Sequence, residues 1–488
     1  MTRLIQKVIL FSIFLFLSLS VWAQTVSMKS ENSYSIDDLL QGYLDNNIDL
    51  KDLQLDVEQA QADLDEILIT YGINVNVSTG SSSLTLSDDS TEMTSSPSVT
   101  LTIPDANNTT ITATTPLTVT VGDDTQTYLD DAGVSVSTEI ISSTANGSEL
   151  LKEEYERYLK EAKQAVETKK ISLQSDFWEE VSDLYTADKT MKEDSDDLYD
   201  NQIDFETIIA KGYSKTSSTY RTAELEVKES EFTVQKDQRD LTELLDSFAV
   251  ACGYKPGDLT EVPAIDQKYN SIELISFEDY EKENFIDLEN VIWDHEYNER
   301  LRAADSNFTL SVDAGYGYSA YIDSSDDDSE AENELSAGVT AGYKGLTTSV
   351  GLSSTIEDFT SPSLTFSFSY DFASSKLEDV YDIEDEIDDK REQLDIEDAI
   401  ESWEDYKQTA ISDKATLEWT RAQNAEQLEL YKEMYEDSIV WYEKGIISKT
   451  DFLQAKNSYE TNSDDSILTI IDCIIYNLDI EKLFIGDK

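Results

Sequence analysis

Two parts of the chain alternate hydrophobic and polar residues. In SLTFSFSYDF (363–372) every second residue is Leu, Phe or Tyr, and 308–318 shows the same alternation. Two segments of the first half, 98–103 and 116–122, alternate in the same way. A period of two predicts strands with one apolar face and one polar face. In an exported chain these strands fit either a β-sandwich with a dry core or a membrane barrel with lipid outside and water inside.

Two other parts of the chain predict very long helices. Residues 148–211 and 363–444 contain neither glycine nor proline, the two residues that end most helices. Helices over 148–210 and 376–443 would each be about 100 Å long, at roughly 1.5 Å per residue. Such lengths indicate a coiled-coil-like assembly. A seam at spacings of four, three and four residues supports it: Ile467, Ile471, Ile474 and Leu478.

The same order of segments occurs twice along the chain. Each long helix is followed by a Lys-Gly turn rich in Ser and Thr, at Gly212 and at Gly445, and a closing glycine stands 41 residues after each of them. The starts of the halves are also similar, since SIDDLLQGYLDNNIDL (35–50) and SFEDYEKENFIDL (276–288) both end in Ile-Asp-Leu. The sequence therefore predicts two tandem structural repeats.

The predicted organisation has four parts. We expect a signal peptide at 1–23, a first repeat at 24–255, a linker at 256–269 and a second repeat at 270–488. The first repeat is expected to hold a helix, strands over about 73–141, a long helix over about 146–210 and a helix over about 214–252. The second is expected to hold a helix, strands over about 307–372, a long helix over about 375–443 and a helix over about 448–485.

The N-terminal segment has the pattern of a secretory signal. Arg3 and Lys7 precede an apolar stretch at 8–20, and small residues precede a cleavage point after Ala23. After it we expect no transmembrane helix, because the best apolar run (467–478) is short and contains an aspartate. Cys252 and Cys473 could pair in an oxidising compartment, but their apolar neighbours favour two small buried residues.

The composition excludes several classes of function. With 36 Lys and Arg against 102 Asp and Glu, the formal charge is −66, which excludes a nucleic-acid partner. A single histidine, His295, no Cys/His metal spacing and no phosphate-binding glycine loop predict a protein that is not an enzyme and binds no cofactor or metal. His295 is expected to be a structural or surface residue.

The second Lys-Gly turn carries the most specific motif. YEKGIISKTDFLQAKNSYE (442–460), leading to LFIG, resembles the TolC-like outer-membrane efflux protein family. The family pattern has a tyrosine, a glycine three residues later, an acidic residue six after the glycine and an alanine four after that. Tyr442, Gly445, Asp451 and Ala455 fill these places. The first turn, AKGYSKTSSTYRTAELEV, matches less well, since Ser218 stands where an acidic residue is common.

The resemblance implies a mainly α fold with a β section. Long antiparallel α-helical hairpins would form an α-barrel, and the strands would form a transmembrane β-barrel in a homotrimer, located in the outer membrane with a long periplasmic portion. The protein would be the outer-membrane channel of a tripartite efflux pump or type I secretion system, working with a periplasmic adaptor and an inner-membrane transporter. The segments suggest up to four strands per half, whereas the family has two. A structural or adhesive surface protein with coiled-coil stalks, or a periplasmic spacer, remains as an alternative.

The resemblance also assigns roles to the turns. The hairpin tips would contact the adaptor through Gly212, Tyr213 and Ser214 in the first half and Gly445, Ile446 and Ile447 in the second. Asp451 would belong to a ring of carboxylates at the pore entrance, or would be only an N-terminal helix charge. Tyr442 would hydrogen-bond across helices to hold the closed state. From the sequence we expect Ser214, Thr216, Ser448 and Thr450 to cap the outgoing helices.

Overall fold

Seven α-helices account for most of the described residues. The structure, a computed structural model, describes residues 34–87, 89–104, 107–121, 126–141, 143–304, 308–323, 330–356 and 362–484. The predicted signal peptide and Gly486 lie outside these residues. The helices are α1 (Ile36–Asn46), α2 (Ile48–Thr70), α3 (Ser143–Ala210), α4 (Ser218–Ala251), α5 (Ile286–Ala304), α6 (Phe372–Glu443) and α7 (Lys449–Leu483). Three short 3₁₀ segments precede α5: Gln267–Ser271, Phe277–Asp279 and Lys282–Asn284. None of the described helices has an apolar stretch long enough to cross a membrane.

The described strands all belong to one antiparallel sheet. Seven precede α3: β1 (Asn74–Ser78), β2 (Ser82–Leu86), β3 (Thr91–Ser95), β4 (Ser98–Ile103), β5 (Thr109–Thr114), β6 (Leu117–Val121) and β7 (Gln126–Ile141). Four follow α5: β8 (Phe308–Asp323), β9 (Glu330–Tyr343), β10 (Leu346–Thr355) and β11 (Ser363–Tyr370).

The first six strands combine pairwise into three longer ones. β1 and β2 pair with β4 and β3, and these pair in turn with β5 and β6, which both pair with β7. The interruptions fall at Gly80, Pro97 and Pro116, and β7 shifts register at the same level. Proline interrupts a strand because it has no amide hydrogen for the ladder. The sheet therefore consists of eight long strands, four from each half of the chain.

Because the strand residues alternate between apolar and polar, this sheet has one apolar face and one polar face. One row across all eight long strands is apolar: Val75, Leu101, Ile111, Val136, Ala314, Ala337, Leu352 and Leu364. The neighbouring row points to the opposite face and is polar or glycine: Asn76, Thr100, Thr112, Ser135, Gly315, Ser336, Ser353 and Ser363.

The described chain forms two compact units that do not coincide with the two halves of the sequence. The hairpin unit contains residues 34–46, Phe177–Ile272 and Asn424–Ile471. The sheet unit contains Asn47–Asp176, Glu273–Gln423 and 472–484.

The core of the hairpin unit is aromatic. Phe177 of α3 packs against Phe248 of α4 and Tyr43 of α1, with ring centroids 5.4 and 5.7 Å apart. Helices α1 and α4 approach closely at Gly42, where a Cβ would lie 2.4 Å from the Cys252 carbonyl oxygen. Cys252 is buried here as a free thiol, and burial raises its pKa to about 12.

The sheet unit has its own core, which lies among the 3₁₀ segments and helices α5, α6 and α7. Phe277, Phe285 and Phe484 are buried there, and Phe277 and Phe484 lie 5.0 Å apart edge to face. Cys473 is also buried as a free thiol, which confirms the expectation for both cysteines.

Candidate functional site at the two helical turns

The first turn ends α3 with a left-handed glycine. Gly212 has φ +76°. Its amide donates to the Ile209 carbonyl (3.0 Å) and the amide of Tyr213 donates to the Ile208 carbonyl (3.4 Å). This pair of bonds is the Schellman motif, which satisfies carbonyls that the helix end would leave free. Tyr213 is half exposed, so the turn offers an aromatic ring to solvent.

The second turn repeats this geometry at the end of α6. Gly445 has φ +67°, its amide donates to the Tyr442 carbonyl (2.9 Å), and the Ile446 amide donates to the Trp441 carbonyl (2.8 Å). Ile446 is 65% exposed and Ile447 is half-buried. In both turns, glycine thus occupies the position where the backbone has a positive φ.

The outgoing helices are capped differently from each other. In the first half Ser217 is the N-cap, and its side chain accepts a hydrogen bond from the Tyr220 amide (3.3 Å). The prediction that Ser214 and Thr216 cap this helix is wrong, because their hydroxyls form a hydrogen bond with each other (2.9 Å) inside a longer turn. In the second half Ser448 caps α7 as expected, whereas Thr450 already lies within that helix.

Asp451 completes the second cap. Ser448 Oγ accepts from the Asp451 amide (3.1 Å), and Asp451 Oδ2 accepts from the Ser448 amide (2.9 Å). This reciprocal arrangement is a capping box, in which an acidic side chain satisfies the amide at the start of the helix. Asp451 remains exposed, so its charge also faces solvent at the turn.

Tyr442 lies against the first turn of α7. Its ring stacks on Phe452 with centroids 5.0 Å apart, and Tyr435 stacks in parallel on Tyr459 at 5.5 Å. Within the described chain, Tyr442 therefore serves the packing of α6 against α7. A hydrogen bond across helices from its hydroxyl stays a prediction for the assembled protein.

The two hairpins contact each other through α3 and α7. Gln454 donates to Asp200 (2.5 Å), and Asn457 donates to Asp196 one turn away (2.8 Å). Burial raises the pKa of Asp196 to about 6. Since α3 runs toward its turn and α7 runs away from its own, these contacts place both turns at the same end of the hairpin unit.

A buried ion pair lies further along the same two helices. Lys192 donates to Asp464 (2.6 Å) and to Asp188 (2.7 Å), and Asp464 is 5% exposed. Burial raises the pKa of Asp464. Lys189 pairs with Asp465 beside it (2.7 Å). This network was not predicted from the sequence, where its only signal is the four-residue spacing of Asp188 and Lys192.

A carboxyl pair joins α3 to α4. A hydrogen bond with Asp237 raises the pKa of Asp194 to about 6. Closer to the turn, Asn201 donates to Ser230 (2.7 Å), and Phe205 packs edge to face on Tyr220 (5.1 Å). The first hairpin is therefore held by aromatic contact near its turn and by polar contacts behind it.

The single histidine belongs to an ion-pair network in the sheet unit. Ligand atoms of His295, Asp389 and Glu392 lie within 4.8 Å of one another, a spacing that could hold a metal ion. Both Glu392 oxygens, however, accept from Arg302 (2.9 and 3.0 Å), and these bonds lower the Glu392 pKa to about 2. The guanidinium already supplies the positive charge, so these residues fit a structural ion pair better than a metal.

Two family models match the chain in order. Residues 39–267 match the model described as TP096X N-terminal domain, and residues 271–487 match the model described as TP096X C-terminal domain. The chain therefore belongs to the TP096X family, and the boundary between the two matches falls beside the predicted linker. No curated protein matches the chain.

Several solved membrane proteins have a related structure. CusC, whose structures concern folding and transmembrane channel formation, is 14% identical over 95% of this chain and 96% of its own, with a TM-score of 0.48. A membrane protein from Pseudomonas aeruginosa is 13% identical over 95% and 97% of the two chains, with a TM-score of 0.45. The CmeC outer membrane channel of Campylobacter jejuni is 13% identical over 95% and 92%, with a TM-score of 0.41.

Proposed function

We propose that this protein is an outer-membrane channel, the export duct of a tripartite efflux pump or a type I secretion system. It would carry small molecules or proteins passively across the periplasm and the outer membrane. It would catalyse no reaction and bind no cofactor, because energy would come from an inner-membrane transporter.

The observation that carries this proposal is the uncovered apolar face of the sheet. Leu364, Phe366 and Phe368 of β11 are 56%, 70% and 74% exposed in the single chain. The apolar row continues across all eight long strands, while the opposite face offers Ser, Thr and Gly. Exposed apolar surface of this extent requires lipid or another chain to cover it. Lipid on one side and water on the other fit both faces at once.

A homotrimer would follow from the edges of the sheet. β1 with β2 forms one edge and β11 the other, and neither edge has a second partner among the described strands. An edge strand offers a row of unsatisfied backbone groups to another chain. Head-to-tail pairing of these two edges in three copies would close a ring. Each copy would contribute eight strands, twice the number that the TolC-like resemblance implies.

The turns of the hairpin unit would meet a periplasmic adaptor. Tyr213 and Ile446 are exposed at one end of this unit, and apolar side chains at a helical turn are best covered by a partner. Three copies of Asp451 would bring carboxylates to the pore entrance in addition to capping α7. Carboxylate rings select cations.

The test combines the native mass of the detergent-extracted protein with single-channel conductance in a planar bilayer. We expect a conducting trimer that prefers cations. Asp451→Asn should weaken that preference and keep the helix start, because the side-chain oxygen of asparagine can still accept a hydrogen bond from the Ser448 amide. The matched control is Glu443→Gln, which removes one carboxylate on the other side of the same turn.

Each outcome separates the parts of the proposal. A conducting trimer with the same selectivity after Asp451→Asn would keep the channel and discard the carboxylate ring. A monomer that leaves the membrane in high salt would overturn the channel and support a coiled-coil surface protein instead.

A further inference from the structure

The two helical turns are positively charged in a very acidic chain. Residues 207–223 contain no Asp or Glu, although 102 of the 488 residues are acidic. That segment carries Lys211, Lys215 and Arg221. The second turn, 444–450, carries Lys444 and Lys449 and no acid. Both turns thus share the order Lys-Gly, then Ser-Lys-Thr, and concentrate positive charge where the chain otherwise has little.

These lysines differ from most lysines of the same unit. The four turn lysines, Lys211, Lys215, Lys444 and Lys449, are exposed and form no ion pair within the described residues. By contrast, Lys189, Lys192, Lys228, Lys236 and Lys268 each contact a carboxylate. The positive charge of the turns is therefore available to a second molecule.

The contacts between the hairpins bring the four lysines to one end. Gln454 of α7 meets Asp200 of α3. From this contact α3 continues for ten residues to its end at Ala210, about 15 Å, and α7 begins five residues before Gln454, at Lys449, about 8 Å away. Both turns thus lie beyond this contact, at the same end of the unit. In sequence, exposed Tyr213 stands between the lysines of the first turn and exposed Ile446 between those of the second.

We infer that the turn lysines, with Tyr213 and Ile446, form a docking surface for a partner protein whose contact surface carries carboxylates around apolar side chains. This inference rests on the proposed function and specifies the chemistry of the adaptor that meets the turns. Lysines at the rim of an interface raise the association rate and make binding depend on salt.

The range of electrostatic forces favours a protein over an anionic membrane. In salt near 0.15 M, charges further apart than about 8 Å are largely screened. A small acidic surface that contacts the turns therefore feels the four lysines and, beside the second turn, Glu443 and Asp451, which offset part of the positive charge there. A lipid surface or another extended polyanion also approaches the surrounding carboxylates of a chain with a formal charge of −66.

The experiment begins with a photo-crosslinking amino acid at Ile446 of the full-length protein in cells. Mass spectrometry identifies the partner and the crosslinked peptide, which we expect to have a net negative charge. The purified partner is then titrated against the solubilised protein at low and high salt, about 50 and 500 mM. Vesicles of phosphatidylglycerol are the membrane probe.

The variant replaces the four turn lysines by glutamine. We expect partner affinity to fall about tenfold at low salt and to become nearly independent of salt, as four weak exposed pairs are lost. The matched control replaces Lys51, Lys163, Lys255 and Lys432, which are also exposed, and changes the net charge equally. It should bind like the wild type, and native mass checks the assembly of both variants.

Several results would overturn the inference while leaving the channel intact. These are a conducting protein without any crosslinked partner, a crosslinked peptide of net positive charge, equal binding by the turn variant and the wild type, or tight binding to the vesicles. A protein that neither conducts nor forms a trimer would instead refute the proposed function itself.

Discussion

Gly445 offers the sharpest test of how the turns are built. Its φ is +67°, and a Cβ at this position would have no neighbour within 4 Å. Replacement by alanine therefore creates no clash, and its cost is the left-handed backbone alone, about 1–2 kcal/mol. That cost should appear as easier opening of the turn, where the Ile446 amide donates to the Trp441 carbonyl (2.8 Å). One to two kcal/mol corresponds to about 5- to 30-fold faster amide exchange.

Hydrogen exchange followed by mass spectrometry on peptides covering 441–447 measures this effect. Gly445→Asn should accelerate exchange much less than Gly445→Ala, because asparagine tolerates the left-handed region. Gly212→Ala is the matched control, since it should loosen the first turn and leave these peptides unchanged. Equal rates for wild type and Gly445→Ala, or equal acceleration by asparagine and alanine, would refute the backbone explanation.

Two further predictions concern the contacts between α3 and α7. Lys192→Met leaves Asp464 buried without its partner and should lower the free energy of unfolding by about 3–5 kcal/mol, measured with denaturant. The double variant Lys192→Met/Asp464→Leu should recover most of that stability. An unchanged free energy of unfolding in the single variant would contradict the buried ion pair. Burial raises the pKa of Asp196 to about 6 from 3.8, so the folded state binds more protons between these values and its stability falls as pH rises through them. Asp196→Asn should therefore raise the melting temperature at pH 7 but not near pH 4. The gain in unfolding free energy should stay below about 1 kcal/mol, because the Asp196 side chain is partly solvated. An equal change in melting temperature at both pH values would exclude titration of Asp196 as the cause.

The helices and their turns follow from local features of the sequence. A segment without glycine or proline has no local reason to end, so α3 and α6 run on until Gly212 and Gly445. Glycine is needed at these two positions because the backbone there is left-handed, and the Lys, Ser and Thr residues around each glycine already indicate a turn. Strict alternation likewise identifies the second-half strands, since 363–372 contains all of β11.

The interruptions of the first-half strands were harder to predict. Apolar residues keep alternating on both sides of Pro97 and Pro116, so each segment looks like a separate strand. Only the pairing shows that β3 and β4 share the neighbours of one longer strand. Pairing depends on residues far apart in sequence, which a local pattern does not contain.

The contacts that join the two hairpins also could not be predicted from the sequence. Asp200 and Gln454 are 254 positions apart, and Asp196 and Asn457 are 261 apart. In the sequence these residues look like members of a solvated helix face, which is the usual place for them. In so acidic a chain, no single aspartate stands out as buried.

The turns also explain why the first half has no acidic residue at the place of Asp451. The first connection spans seven residues, 211–217, and the second spans five, 444–448. The N-cap thus lies five residues after Gly212 but three after Gly445. The residue six positions after the glycine is therefore Ser218 in the first half and Asp451 in the second. Ser218 is the first residue of α4, whereas Asp451 is the third residue of α7. Only the third helical residue can bond back to the N-cap amide, so an acid at Ser218 would complete no capping box, and counting from the glycine compares two different positions of the helix.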